Sequence, residues 1–327
     1  MVDRLYSKMD EKKTPLCVGL DPNLKAFPKP LLDEVTIEFG SNYMAAAEAI
    51  KRFNFKIIDA THDLVPVYKL QSANYEQYGY YGVKALEDTV KYAKSKGAMV
   101  ILDAKRNDIG HTATAYAESH LGKVLLPDGA YLRSADDFDF MTVNGYLGSD
   151  GILPFVEVAN RDNKGIFVLA KTSNPGSGEL QDLEIYGWKV YEIMANLVNQ
   201  WGKSNIGKSG YSNIGAVVGA TYPEEASKLR RILPNALFLM PGYGRQGGKA
   251  EILVNGFDHN GRGAVVNSSR AIIYAFSDEE FMKKHPEFAK PEKFVEATRQ
   301  ATIDAVAEIN DALRKAGKLP SEWTNSF

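Results

Sequence analysis

Short, continuously apolar segments recur along the whole chain, and they restrict its fold more than any other feature. They read LCVGLD (16–21), LVPVYKLQ (64–71), AMVILDAK (98–105), MTVNGY (141–146), GIFVLAKT (165–172), IGAVVGAT (214–221), ALFLMPG (236–242) and GAVVNSSR (263–270). Most stay apolar for four or five residues without alternating. Such runs fit parallel strands covered on both faces. Helical patterns lie between them. Val83, Leu86, Val90 and Ala93 follow helical spacing, with Gly97 as a stop, and Ile50, Phe53 and Ile57 repeat the pattern. Thr221 and Glu224 stand at capping-box spacing before Ala226, Leu229 and Ile232. Thr302, Val306, Ile309 and Leu313 form a last stripe ending near Gly317. Eight strands alternating with helices predict an α/β fold, the (β/α)8 TIM barrel. A doubly wound open sheet is the alternative and would usually have fewer strands.

The 327 residues exceed a typical barrel. The excess falls in long connections at 22–39, 174–182 and 202–213, and no linker or repeat interrupts the chain. One domain, 1–327, with extended loops is expected. A net charge of −2 and a pI of about 6.3 argue against a nucleic-acid partner. Cys17 is the single cysteine, which excludes a disulfide framework and a cysteine metal site. The charged start MVDRLYSKMDEKKTPL lacks a signal-peptide core, and no run of eighteen apolar residues suggests a membrane span. A cytoplasmic protein is expected. The five histidines show no i,i+4 pair, so no metal motif is read.

Two glycine motifs invite a nucleotide-binding reading. GKSNIGKS (202–209) fits G-x-x-x-x-G-K-[ST]. A working P-loop follows a strand and opens a helix; here a helix over roughly 183–201 precedes it and a strand follows, so an ordinary polar loop is the better reading. GYGRQG (242–247) does follow a strand, but the seventh. Glycines there let backbone N–H groups approach an anion, and Arg270 at the end of the eighth run adds a guanidinium. Either alone is a turn or a solvated arginine. Together they fall where barrels commonly hold phosphate.

The segment VILDAKRNDIGHT (100–112) puts Asp103, Lys105 and Asp108 directly behind an apolar run. Strand alternation sets Asp103 and Lys105 on one face, at the barrel's C-terminal mouth. Asp21 ends the first run and Lys69 lies near the end of the second. One such charge would be a weak surface pair. Four at successive strand ends form an alternating array, in which lysines stay protonated and carboxylates ionised.

This segment resembles the D-x-K-x-x-D-[IV]-[AGP]-x-T signature of the orotidine 5′-phosphate decarboxylases, complete from Asp103 to Thr112. LCVGLDP, YKLQ, LAKTSNPGS, PGYGRQGG and VNSSRAI follow in family order, and the long loops resemble the longer subfamily. The resemblance implies decarboxylation of orotidine 5′-phosphate to UMP without metal or organic cofactor. Asp103 would sit beside the substrate carboxylate, and Lys105 would stabilise and protonate the C6 carbanion. Lys69 and Asp21 would hold ribose hydroxyls, with Gln71 also within reach of substrate. Asp108 and Thr112 would cross a homodimer interface into the neighbouring site. Ser173 would read the pyrimidine edge. Gln246 and Arg270, with the backbone N–H groups of the loop at Gly242 and Gly244, would grip the phosphate, with Pro241 also at the substrate and Tyr243 as a further candidate. The chemistry agrees: a poorly delocalised carbanion with no electron sink needs electrostatic stabilisation.

Three other readings have distinct tests. A metal-dependent sugar-phosphate decarboxylase or aldolase on the same barrel would lose activity to a chelator. An NTPase built on 202–209 would lose activity when Lys208 is replaced. A non-catalytic dimeric scaffold would have no need of the charge array.

Overall fold

The computed structural model describes residues 1–244 and 249–324. Eight parallel strands close into a barrel: β1 (Leu16–Leu20), β2 (Val67–Gln71), β3 (Met99–Arg106), β4 (Phe140–Val143), β5 (Gly165–Lys171), β6 (Ser212–Val218), β7 (Ala236–Pro241) and β8 (Ala264–Ser268). Each strand bonds to its neighbours in sequence. The seam is β1 on β8, with Leu16 opposite Val266 and Val18 opposite Ser268. Closure removes the open-sheet alternative. Every residue of β1, β4 and β8 is buried, as expected for strands covered by side chains inside and helices outside.

The outer layer includes helices Tyr43–Thr61, Gly79–Ser95, Gly110–Leu121, Ser149–Asp162, Val190–Gly202, Pro223–Ile232 and Phe294–Lys315. Their apolar stripes face the barrel: Ile50, Phe53 and Ile57 are fully buried, and Ile309 and Leu313 nearly so. Gly79–Ser95 buries Leu86, Val90 and Ala93 but leaves Val83 39% exposed, so its stripe begins at Gly82. Helix Val2–Lys12 closes the opposite end of the barrel, burying Val2, Leu5 and Met9. It is tied there by Val2 N–H to Asn213 Oδ1 (2.8 Å) and by Gly263 N–H to the Tyr6 hydroxyl (2.8 Å).

Local departures from the sequence reading have physical causes. The expected capping box at Thr221 is absent. Helix Pro223–Ile232 starts on proline, whose fixed φ suits a first turn, and among the described residues the buried Thr221 hydroxyl has no partner. The helix expected from 183 begins at Val190 instead. Ahead of it a hairpin pairs Glu184–Ile185 with Trp188–Lys189, turning through Tyr186 and Gly187, both at positive φ. Two such residues make the turn that matches strand twist. A second hairpin, Lys123–Leu125 with Tyr131–Arg133, lies between β3 and β4. The connection after β1 carries its own helix, Lys29–Phe39, pinned to Tyr43–Thr61 by Arg52, which binds both Glu34 and Glu38 at 2.6 Å.

The P-loop-like residues lie between helix Val190–Gly202 and β6, the reverse of a nucleotide site. Asp3 already occupies the backbone donors: Lys208 N–H and Ser209 N–H reach its two carboxylate oxygens at 3.0 and 2.8 Å. The anion held by this loop is the protein's own.

Candidate active site

The C-terminal mouth of the barrel opens into a cavity of about 1250 Å³. Asp103, near the end of β3, is its electrostatic centre. Lys105 Nζ and the Thr142 hydroxyl donate to Oδ1 at 2.6 and 2.9 Å. Lys69 Nζ and Gln71 Nε2 donate to Oδ2 at 2.9 and 3.1 Å. A carboxylate has about four lone-pair sites, so these donors saturate it. Lys69 also reaches Asp21 Oδ1 at 3.4 Å. Strand order explains the convergence: Gly19, Lys69 and Ile101 stand level across β1, β2 and β3.

Burial alone would push the Asp103 carboxyl up, but Lys69 and Lys105 outweigh it and hold the group far below the usual carboxylate range. Burial would likewise lower the Lys69 ammonium, yet Asp103 and Asp21 keep it above its ordinary value. Lys69 is almost fully buried, whereas the Lys105 side chain is 44% exposed to the cavity. The array is thus a fixed, ionised base with one ammonium presented outward.

The expected sharing of a face by Asp103 and Lys105 is met, but not by regular alternation. Lys105 has φ 53°, and the pairing of β3 with β4 shifts between Leu102 and Arg106. The shift turns the lysine back onto Asp103.

Ser173, Pro241, Gly242 and Arg270 also line the cavity. Arg270 does not end β8, which stops at Ser268; it is exposed and begins the one-turn helix Arg270–Ile273. Gly244 stands at φ 89°, where a β-carbon would come within 2.8 Å of Ala271 Cβ, so glycine lets the β7 loop lie against that helix. Tyr243 borders the cavity, but its hydroxyl donates to Glu308 Oε2 at 2.7 Å, in the last helix, and is committed there. Gln246 lies outside the described residues. Asp108 and Thr112 are not among the cavity's lining. Asp108 accepts the N–H of Ile109 at 2.8 Å, and Thr112 lies in helix Gly110–Leu121.

Several contributors escaped the sequence reading. Thr142 holds Asp103 from β4; a lone threonine in the run Phe140–Val143 was the available signal. The Tyr274 hydroxyl takes the N–H of Asn23 at 2.7 Å and bonds the carbonyl of Asp21 at 3.3 Å, bracing the loop after β1. Lys171, fully buried at the end of β5, binds Asp182 at 2.8 Å and lies 4.7 Å from the Tyr222 ring centre. It ties down the loop that carries Ser173. Within that loop, Gln181 bonds both the N–H (2.9 Å) and the hydroxyl (2.7 Å) of Thr172.

The model of the Orotidine 5′-phosphate decarboxylase / HUMPS family matches residues 14–284, which include the whole array and both loops beyond β7 and β8. The chain belongs to this family. It is 47% identical to the orotidine 5′-phosphate decarboxylase of Rhodopirellula baltica over 298 residues, 91% of this chain and 93% of that one. It is 40% identical to the enzyme of that name from Clostridium perfringens strain 13 over 316 residues, 96% of this chain and all of the other. Among solved structures, Leishmania donovani OMP decarboxylase superposes with a TM-score of 0.69 at 28% identity, covering 95% of this chain and 98% of that one. Of the segment Asp103 to Thr112, Asp103 and Lys105 line the chain's own cavity, and Asp108 and Thr112 are not among its described lining residues.

Proposed function

We propose that the chain, as one barrel domain, decarboxylates orotidine 5′-phosphate to UMP, the last step of de novo pyrimidine nucleotide synthesis, in the cytoplasm. The observation that carries this reading is the saturated Asp103 carboxylate with Lys105 Nζ presented beside it in one cavity that Gly242 and Arg270 also line. In this reading the phosphate lies between Pro241, Gly242, Gly244, Gln246 and Arg270, and the base meets Ser173. Asp21 and Lys69 take ribose hydroxyls, with Gln71 alongside. The bond from C6 to the carboxylate then breaks, its electron pair stays on C6, and CO₂ leaves. The Lys105 ammonium stabilises that pair, passes its proton to C6 and regains one from solvent. Because the ammonium is already held in place, little reorganisation is needed as charge develops. Phosphate binding remote from C6 supplies interaction energy that is expressed in the transition state.

The same reading makes the enzyme a homodimer with shared sites. Asp108 and Thr112, absent from their own cavity, would complete the partner's. Exposed apolar side chains support this: Ile109 follows Asp108, and Tyr146, Leu147 and Leu153 are exposed on the segment around Gly151, which packs against the Asp108 carbonyl; together they suit a second copy of the chain. A metal-dependent aldolase reading finds less support, since Asp103 has spent its lone pairs on four donors and Asp21 faces Lys69. The deciding experiment follows ultraviolet loss of orotidine 5′-phosphate with purified protein, with and without chelator. Equal turnover in both arms is expected. No turnover, or turnover abolished by chelator, refutes the proposal.

A further inference from the structure

Thr142 is 1% exposed, in β4, and does not line the cavity. Its hydroxyl has one proton to give. Lys105 N–H donates to Oγ1 at 3.0 Å, so that oxygen serves as an acceptor toward Lys105. The proton is then free for Asp103 Oδ1, 2.9 Å away. The same Oδ1 receives Lys105 Nζ at 2.6 Å. These contacts form a closed ring. It runs from the backbone amide of Lys105 through Thr142 and Asp103 to the ammonium of the same lysine.

The ring has a second consequence for the backbone. Lys105 has a left-handed φ of 53°, unusual for a residue with a β-carbon. The shift in β3–β4 pairing leaves its N–H to be satisfied by a side chain, and Thr142 provides the acceptor. One hydroxyl therefore stabilises the strained backbone and fixes the carboxylate that the ammonium leans on.

We propose that Thr142 is a positioning residue for decarboxylation, setting the place of the Lys105 ammonium through Asp103 and through the Lys105 backbone. The proposal rests on the reading of Lys105 as proton donor. It requires an effect on kcat with little on KM, because Thr142 touches no surface that substrate can reach. Thr142→Val keeps shape and loses both hydrogen bonds, leaving the partly buried Lys105 N–H without its side-chain acceptor. Its kcat should fall roughly 10- to 100-fold, the scale of one lost charge-assisted hydrogen bond. KM and the affinity for UMP should stay near wild type. Thr142→Ser, which restores donor and acceptor, should recover most of the loss.

Lys105→Ala is measured alongside. Wild-type kcat in Thr142→Val with an inactive Lys105→Ala overturns the positioning role and leaves the proposed function standing. An active Lys105→Ala overturns the reading of Lys105 as proton donor, and with it the positioning role, while the decarboxylation assay judges the function separately. A loss in Thr142→Val that serine fails to rescue, or a loss confined to KM, also refutes the positioning role. Should the valine variant not fold, Thr142→Cys, a weaker donor and acceptor of similar size, is judged by the same kcat criterion: a loss supports the role and wild-type kcat refutes it.

Discussion

Asp103 and Lys105 share a contact of 2.6 Å, and the two side chains answer different tests. Lys105 is the more exposed partner, so Lys105→Ala should leave the melting temperature close to wild type. Turnover should fall by at least about 10²–10³, the range for removal of one preorganised electrostatic group. Near-normal turnover would contradict the proposed proton donor. Asp103 carries a pH prediction. Its folded-state pKa is depressed, so its contribution to stability is fully present above the unfolded value of about 3.9 and is lost only as pH falls through the folded value. Carbon-13 NMR with labelled aspartate carboxyls should therefore find Asp103 still ionised at pH 4; a midpoint there or higher contradicts the array. At this scale the sequence was legible where partners are close along the chain. Asp103 and Lys105 stand two apart, so the sequence pairs them, although the turn at Lys105 and not regular alternation brings them together. Thr142 is 37 residues from Lys105 and Tyr274 is 251 from Asn23, so no local pattern announced either contact. The left-handed φ at Lys105 was equally hidden, since lysine rarely adopts it.

Among elements, the β7 and β8 loops meet through Gly244 and Ala271, and Arg270 opens the turn between them and the last helices. Arg270→Ala should raise KM for orotidine 5′-phosphate while scarcely changing the slow reaction of the phosphate-free nucleoside. Equal losses with both substrates would make Arg270 structural. On the opposite face, Asp3 joins the first helix to the loop before β6 through two backbone N–H groups. Asp3→Ala should lower stability by about 1 kcal/mol, as for a lost cap, without altering KM. A denaturant titration and a Michaelis plot together check both halves of that statement. All eight strands were legible because each is a run buried on both faces, a pattern with little local competition. The two hairpins were not. Strands of two or three residues hold no periodicity, and Glu184–Lys189 was absorbed into the pattern of the helix behind it.

For the whole molecule, the shared-site proposal makes a prediction by symmetry. Asp108→Asn and Lys105→Ala homodimers should each be nearly inactive. Co-refolded heterodimers would contain one doubly defective site and one intact site, so activity should return to about half per heterodimer. Verified heterodimers as inactive as their parents would place Asp108 within its own chain. Closure of the barrel bears on how such a molecule is made. The β1–β8 seam and the bond from Ser269 to the Gly19 carbonyl join residues 250 positions apart. Loop-closure cost grows only slowly with length, so this separation is a matter of timing more than of final stability. During synthesis Asp21, Lys69, Asp103 and Lys105 emerge early, while the strand that completes the cylinder emerges late. Until it arrives, β1 and β7 present unpaired edges of the kind that recruit other chains. A nascent chain halted between Lys105 and Ser268 would carry all four charges of the array and two sticky borders, a state that ribosome-associated chaperones exist to shelter.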